Sequence, residues 1–251
     1  QHLVVPQRSP PATGAPNSGP HSAALLNENG EYIHNGQIMA VAWMPCGQHG
    51  WRMTISSLFA TPFYEGALDN PDLLEELEGS CRALEEDDVA GRNWSKEHGY
   101  KGYTSYASLN DLTIRDPAFE DLKRSLDKHV RAFAEACHFD LGRKPKLDSL
   151  WVNVLKPGGT HTGHIHPHSI ISGTIYVCVP KGSGALKLED PRLSRMMAAP
   201  ARRADAPAEF QPFIYAEPKA GTVFLWESWL THEVVPSKAK TDRISISFNY
   251  R

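Results

Sequence analysis

Two capped helices followed by a run of short strands predict a mainly β fold with flanking α-helices, a helix-backed sandwich or barrel. Three observations carry this. Asn70-Pro71-Asp72 and Asp116-Pro117 each set a capping side chain before a proline at the first helical position. From Leu150 onward the apolar residues recur with strand periodicity. Gly/Pro clusters punctuate that stretch: Pro157-Gly-Gly, Pro180-Lys-Gly-Ser-Gly and Pro218-Lys-Ala-Gly.

The elements follow in chain order. Residues 1–22 are rich in Pro, Ser, Gly and Ala and lack periodicity, so 1–30 are expected to form a disordered leader. Residues 31–52 form an N-terminal extension of uncertain structure, with room for a short strand or hairpin, and 53–251 are expected to be the functional domain. In the first helix Leu73, Leu74, Leu77, Cys81 and Leu84 recur at helical spacing. The second carries a stripe of Phe119, Leu122, Leu126, Val130, Phe133 and Cys137. Two N-terminal helices are thus expected, with a turn-rich segment Tyr100–Leu112 between them. Strands are expected at Trp151–Leu155, Ile170–Val179, Ala185–Leu188, Thr222–Trp226 and Arg243–Tyr250. The last alternates, with Ile244, Ile246, Phe248 and Tyr250 on one face and Ser245, Ser247 and Asn249 on the other. The long connection Leu193–Phe210 reads as a lid, a binding loop or a disordered segment.

Composition limits the function classes. With 41% hydrophobic and 22% charged residues the chain can bury a core. A net charge of −3 gives no reason to expect a nucleic-acid or membrane partner. The longest apolar run, around Ile38–Met44, is too short to span a bilayer, and no charged segment precedes an apolar one at the N-terminus. Cys46, Cys81, Cys137 and Cys178 are scattered without a CxxC pair, which favours free thiols in a reducing cytoplasm.

The chemistry concentrates in histidines. Four fall within Gly159-Thr-His161-Thr-Gly-His164-Ile-His166-Pro-His168. On a strand, residues two apart face the same way, so His164 and His166 could share one metal ion. Neutral imidazole suits iron, zinc, copper or nickel. The alternative is a polar loop without metal. A second motif, Phe224-Leu-Trp-Glu-Ser-Trp-Leu-Thr-His232, lies eleven residues before Arg243, which opens the alternating strand. Adjacent antiparallel strands could bring His232 beside the first cluster and set Arg243 deeper in the same cavity. A buried arginine needs an anionic partner, which a dicarboxylate would supply through a bidentate pair. Ser245, on the same face, could bond the same carboxylate. The competing reading is an ordinary surface ion pair for Arg243 and a solvent-facing position for Ser245. Trp151, Trp226 and Trp229 are candidates for the cavity mouth, with core packing favoured for Trp226. Asn153 would share a face with Trp151.

Taken together, Leu58-Phe-Ala-Thr-Pro, Leu150-Trp-Val-Asn-Val, His161-Thr-Gly-His-Ile-His-Pro, Ser172-Gly-Thr-Ile-Tyr, Glu189-Asp-Pro-Arg, Trp229-Leu-Thr-His and Arg243-Ile-Ser-Ile-Ser-Phe-Asn resemble the Fe(II)/2-oxoglutarate-dependent oxygenases, in particular a bacterial and phage subgroup. The likeness runs over roughly residues 53–251. It implies a double-stranded β-helix (jelly roll, cupin-like) and an iron-dependent dioxygenase that hydroxylates its substrate and releases succinate and CO₂. It implies Fe(II) on His164 and His232, and Arg243 with Ser245 on the distal carboxylate of 2-oxoglutarate. His161 and Asn153 become candidate cosubstrate contacts, and Trp151, Trp229 and Glu189 candidate substrate contacts.

One position departs from the family pattern. Where the superfamily has Asp or Glu, this chain has His166. His166 is expected to ligate, giving a three-His site; the alternatives are a substitute carboxylate, Glu189 or Asp190, or a degraded site. A halogenase would need that position vacated. The rival functions are a three-His dioxygenase without 2-oxoglutarate and a non-catalytic metal-binding module. The expected partners are a small-molecule or peptide substrate and, on frequency alone, a second copy of the chain.

Overall fold

The structure is a computed structural model that describes residues 54–251 and three short strands before them. The chain divides into two units, Gln1–Ala60 and Thr61–Arg251. In the first, β1 (Leu25–Leu26), β2 (Tyr32–His34) and β3 (Gln37–Met39) form an antiparallel sheet. β2 and β3 pair from Tyr32↔Met39 to His34↔Gln37, a hairpin inside the 31–52 extension. Otherwise the leader and the extension lie outside the described residues.

The second unit opens with β4 (Phe63–Ala67) and α1 (Pro71–Asp87). Asn70 caps α1 by accepting from the Leu73 amide at 3.1 Å, and Leu73, Leu77 and Cys81 are its buried face. α2 (Val89–Glu97) follows at once, capped by Asp88, whose Oδ1 accepts from Gly91 N. The sequence led to two α-helices, and the described residues hold three. The buried residues of α2 are Gly91 and Ser95, so it has no apolar stripe for a periodicity argument to find. After β5 (Gly102–Thr104) comes α3 (Pro117–Ala136), capped by Asp116 and buried along Phe119, Leu122, Leu126, Val130 and Phe133.

The remainder is β6 (Leu147–Leu155), β7 (His161–His164), β8 (Ile171–Cys178), β9 (Leu186–Glu189), β10 (Phe213–Ala216), β11 (Thr222–Glu227), β12 (His232–Val234) and β13 (Arg243–Tyr250). They form two antiparallel sheets, a six-stranded β4-β11-β8-β13-β6-β5 and a four-stranded β10-β9-β12-β7. This is a jelly roll with helices beside its larger sheet. The five expected strands are present with ends shifted by up to a few residues. β4, β5, β7, β10 and β12 were not anticipated. Each has three to five residues, too few to establish a period.

Two apolar clusters explain the layering. One joins Leu77 and Cys81 of α1 and Leu122 and Leu126 of α3 to Val152, Val154, Ile175, Val223, Leu225, Ile244, Ile246 and Phe248 of the large sheet. The other contains Leu155, Tyr176, Phe224 and Trp226 of the large sheet and Leu186, Leu188 and Val234 of the small one. β13 therefore separates two environments. Its even-numbered residues enter the helix-backed core, while Arg243, Ser245, Ser247 and Asn249 line a cavity on the other face. Gly173 of β8 has no room for a side chain: a Cβ would lie 2.5 Å from the Phe248 ring and 2.6 Å from Leu225 Cδ2.

Among the described residues no helix is long and apolar enough to cross a membrane. Cys81, Cys137 and Cys178 are free thiols, and Cys46 lies outside the described residues.

Candidate metal centre and anion pocket

The cavity has a volume of about 630 Å³. Strand register brings its histidines together. His232 of β12 pairs directly with His164 of β7, and their ring centroids are 4.3 Å apart. His166, two residues beyond His164, closes the group at 5.2 Å from His164 and 5.0 Å from His232. One ring nitrogen of each falls within 4.8 Å of the others.

Hydrogen bonds fix which nitrogen is free. His164 Nδ1 lies 2.7 Å from the Thr162 carbonyl, and His232 Nδ1 lies 2.9 Å from that of Leu230. A carbonyl only accepts, so both Nδ1 atoms carry the proton and both Nε2 atoms keep a lone pair. His166 Nδ1 faces Asn249 Oδ1 at 2.7 Å and Ser172 Oγ at 2.8 Å. This outer support of imidazoles by backbone and side-chain oxygens is usual around bound metals. Burial depresses the His232 pKa to about 3, with His164 adding to the effect, and lowers that of His166. Neutral rings are the form that ligates.

Arg243 sits in the same cavity, 1% exposed. Its Nη1 donates to the Gly184 carbonyl at 3.0 Å, and its Nε has no partner. Among the described residues no carboxylate pairs with it, and the adjacent Asp242 is held by Lys156 at 2.7 Å. The Tyr176 ring lies 5.4 Å from the guanidinium carbon. Ser245 is buried on the same strand face. A buried cation without a counter-charge is costly unless an anion completes it.

Around this pocket stand groups that the sequence pointed to and others that it did not. His161 lines the cavity, and its Nε2 lies 2.6 Å from the Tyr100 hydroxyl. Burial, then Arg243, pushes the His161 pKa down to about 3. Burial raises the Tyr100 hydroxyl, and that of Tyr176 to about 12. Asn153 is committed within the protein, accepting from Thr104 Oγ1 at 2.8 Å and donating to Ser247 Oγ at 3.1 Å. Trp151 lines the cavity with Tyr106 at 5.2 Å between ring centroids. Trp226 also lines it and is buried.

Three candidates stand elsewhere. Trp229 is 46% exposed and donates to Glu227 outside the lining. Glu189 is not in the lining either, because alternation along β9 buries Leu186 and Leu188 instead. Asp190 takes both nitrogens of the Arg192 fork, at 2.9 and 2.8 Å, and is outside the histidine group. Tyr100, Ser172 and Asn249 were missed, because their roles depend on strand pairings across long stretches of chain.

No curated protein matches the sequence. Residues 149–249 match the family described as "Putative 2OG-Fe(II) oxygenase". Among solved structures the chain is similar to the non-heme alpha ketoglutarate dependent carbocyclase SnoK from nogalamycin biosynthesis, at 10% identity and a TM-score of 0.53, covering 76% of this chain and 79% of that one. It is similar to HygX from Streptomyces hygroscopicus, solved with nickel and 2-oxoglutarate bound, at 14% identity and a TM-score of 0.51, covering 76% and 82%. AviO1 from Streptomyces viridochromogenes Tue57 is similar at 14% identity and a TM-score of 0.51, covering 76% and 89%. At these identities the likeness is one of fold. The family match and the jelly roll agree: residues 149–249 are similar to that family's model, and the strands they contain fall in the two sheets of the jelly roll.

Proposed function

We propose that the chain is an Fe(II)- and 2-oxoglutarate-dependent dioxygenase that hydroxylates a small-molecule or peptide substrate. The observation that carries this reading is Arg243, a buried guanidinium without a counter-charge among the described residues, in the cavity where a ring nitrogen from each of three histidines converges. His164, His166 and His232 would hold the metal, and Arg243 with Ser245 would take the distal carboxylate of 2-oxoglutarate. The donor set fits such an ion: three nitrogen ligands of the kind that bind iron, with room left in the cavity for further ligands.

Iron, when bound, supplies the oxidising chemistry, coupled to decarboxylation of the cosubstrate. The protein does the positioning. Arg243 sets the depth at which a dicarboxylate stops, and Tyr176 and Tyr100 wall that end. His161 and the Tyr100 hydroxyl add polar groups beside it. Leu186, Val234 and Trp226 provide apolar wall, which limits water near the reacting centre. Three neutral ligands bring no negative charge to the metal, so an anionic cosubstrate is favoured there. Trp151, Tyr106 and Trp94 belong to the same lining and give an aromatic approach for substrate.

The rival is a three-His dioxygenase that needs no cosubstrate, since three imidazoles alone would serve it. Such an enzyme has no use for an unpaired buried arginine. The test is anaerobic titration of the Fe(II) protein with 2-oxoglutarate, followed by its metal-to-ligand charge-transfer band. The band is expected in wild type and is expected to be lost in Arg243→Met. Iron binding without a band would move the cosubstrate-free enzyme ahead. Absence of iron binding would leave a non-catalytic module.

A further inference from the structure

The three histidines are not held alike. His164 and His232 are oriented by main-chain carbonyls, at 2.7 and 2.9 Å, which no side-chain substitution removes. His166, at the position where the family pattern has a carboxylate, is oriented by side chains alone. Its Nδ1 lies 2.7 Å from Asn249 Oδ1 and 2.8 Å from Ser172 Oγ, whose own proton goes to Asn249 Oδ1 at 2.8 Å, so the ring nitrogen faces two acceptors. Ser172 Oγ lies 2.7 Å from Ser228 Oγ, and Asn249 Nδ2 donates to Ser149 Oγ at 3.2 Å.

We infer that Asn249 is a positioning residue that locks His166 as its Nδ1–H tautomer and so frees Nε2 for the metal. This rests on the reading that the three histidines bind one. The bond count supports it. An amide oxygen accepts and never donates, so with Oδ1 turned to His166 the imidazole must be the donor. Ser172 gives its proton to the same oxygen and accepts from Ser228, and Ser149 accepts from Nδ2, so each buried polar atom has a partner. The reverse amide orientation would make His166 an acceptor and put its proton on Nε2, where a ligand needs a lone pair. Asn249 thus decides whether the third ligand matches the other two. Ser149, Ser172, Ser228 and Asn249 come from β6, β8, the β11–β12 turn and β13, so this support for an imidazole is built from four parts of the chain. It marks His166 as a ligand rather than the remnant of a lost one.

The test uses the full chain labelled with ¹⁵N, and long-range ¹H–¹⁵N spectra of the metal-free protein near neutral pH, which report the tautomer of each ring. Wild type is expected to show Nδ1–H at His164, His166 and His232. Asn249→Leu, or Asn249→Ala if that variant does not fold, should move His166 alone towards Nε2–H. Fe(II) affinity, measured by competition with a chromogenic chelator, should fall roughly 10–100-fold, as is usual for lost outer-shell support. Asn249→Asp keeps an acceptor at the same place, so it should keep the tautomer and at least the wild-type affinity. If Asn249→Leu leaves the His166 tautomer unchanged while wild type binds Fe(II), the assignment to Asn249 fails alone. A wild type that binds no Fe(II) overturns both the oxygenase reading and the purpose given to Asn249.

Discussion

Arg243 sets function against stability at a single residue. Its 1% exposure and unpartnered Nε are tolerable only if the cavity is meant to be filled. Arg243→Met should therefore raise the thermal midpoint of the ligand-free protein, or leave it unchanged, while 2-oxoglutarate affinity drops by at least about 30-fold, or ~2 kcal/mol, the low end for truncating one side of a buried charge pair. Thermal scans beside the titration would check both halves, and a large fall in the ligand-free midpoint would show that the guanidinium stabilises the fold instead. His161 gives a pH signature. Its folded pKa is depressed to about 3 against about 6.5 in an unfolded chain. Between those values the unfolded chain binds a proton that the folded one does not. This contribution to stability is complete above about pH 6.5 and declines below it, by up to ~1.4 kcal/mol per pH unit. Urea unfolding at about pH 7.5 and about pH 5.5 should show a smaller difference for His161→Gln than for wild type. Arg243 and Ser245 were legible in the sequence because two-residue alternation declares which residues share a face. Tyr100 and Asn249 were not, because a partner 61 or 83 residues away appears only once strands are paired.

At the scale of elements, what could be read depended on length and on burial. α1 and α3 announced themselves through Asn70-Pro71 and Asp116-Pro117, and both caps form. Asn70→Ala should cost about 1 kcal/mol, the usual value of such a cap, measured by denaturant unfolding. α2 stayed hidden because a helix whose buried residues are glycine and serine presents no periodicity. β7, His-Thr-Gly-His, is polar and mostly exposed, and its strand character comes from pairing with β12. Gly173 makes a sharper test of the large sheet. Alanine there would meet Phe248 and Leu225 inside their contact distance, so Gly173→Ala should cost about 1–3 kcal/mol through overpacking. A loss below ~0.5 kcal/mol would mean that the core between β8, β11 and β13 is looser than described. The position of Trp229 and Glu189 outside the cavity lining is decided at this scale. Both lie near the right strands, but short turns and alternation send them outward.

For the second unit as a whole, His164 and His232 stand on strands of the smaller sheet and Arg243 on a strand of the larger, so ligands held by both groups would tie the sheets together. Binding stabilises a folded state by mass action, about 2.7 kcal/mol at one hundred times the dissociation constant. Fe(II) and 2-oxoglutarate together should raise the midpoint of the wild type in a concentration-dependent way under anaerobic conditions. Arg243→Met should respond to Fe(II) alone and gain nothing further from 2-oxoglutarate, which differential scanning calorimetry can resolve. A sandwich or barrel with helices at its back was expected from the order of patterned segments, and the family resemblance narrowed it to a jelly roll. The family resemblance added the iron and cosubstrate expectations that composition and period could not supply.

β13 threads two worlds with one alternation, and that makes its alignment a kind of reading frame. Slide it by one residue and Ile244 enters the cavity while Arg243 is driven among Val152, Val154 and Ile175. A chain that mispairs this strand would lose its core and its chemistry in the same stroke, so no well-packed but inert form of the sheet is within easy reach. An error of alignment here is exposed at once as an unstable protein, and cellular quality control can discard it without ever testing its activity.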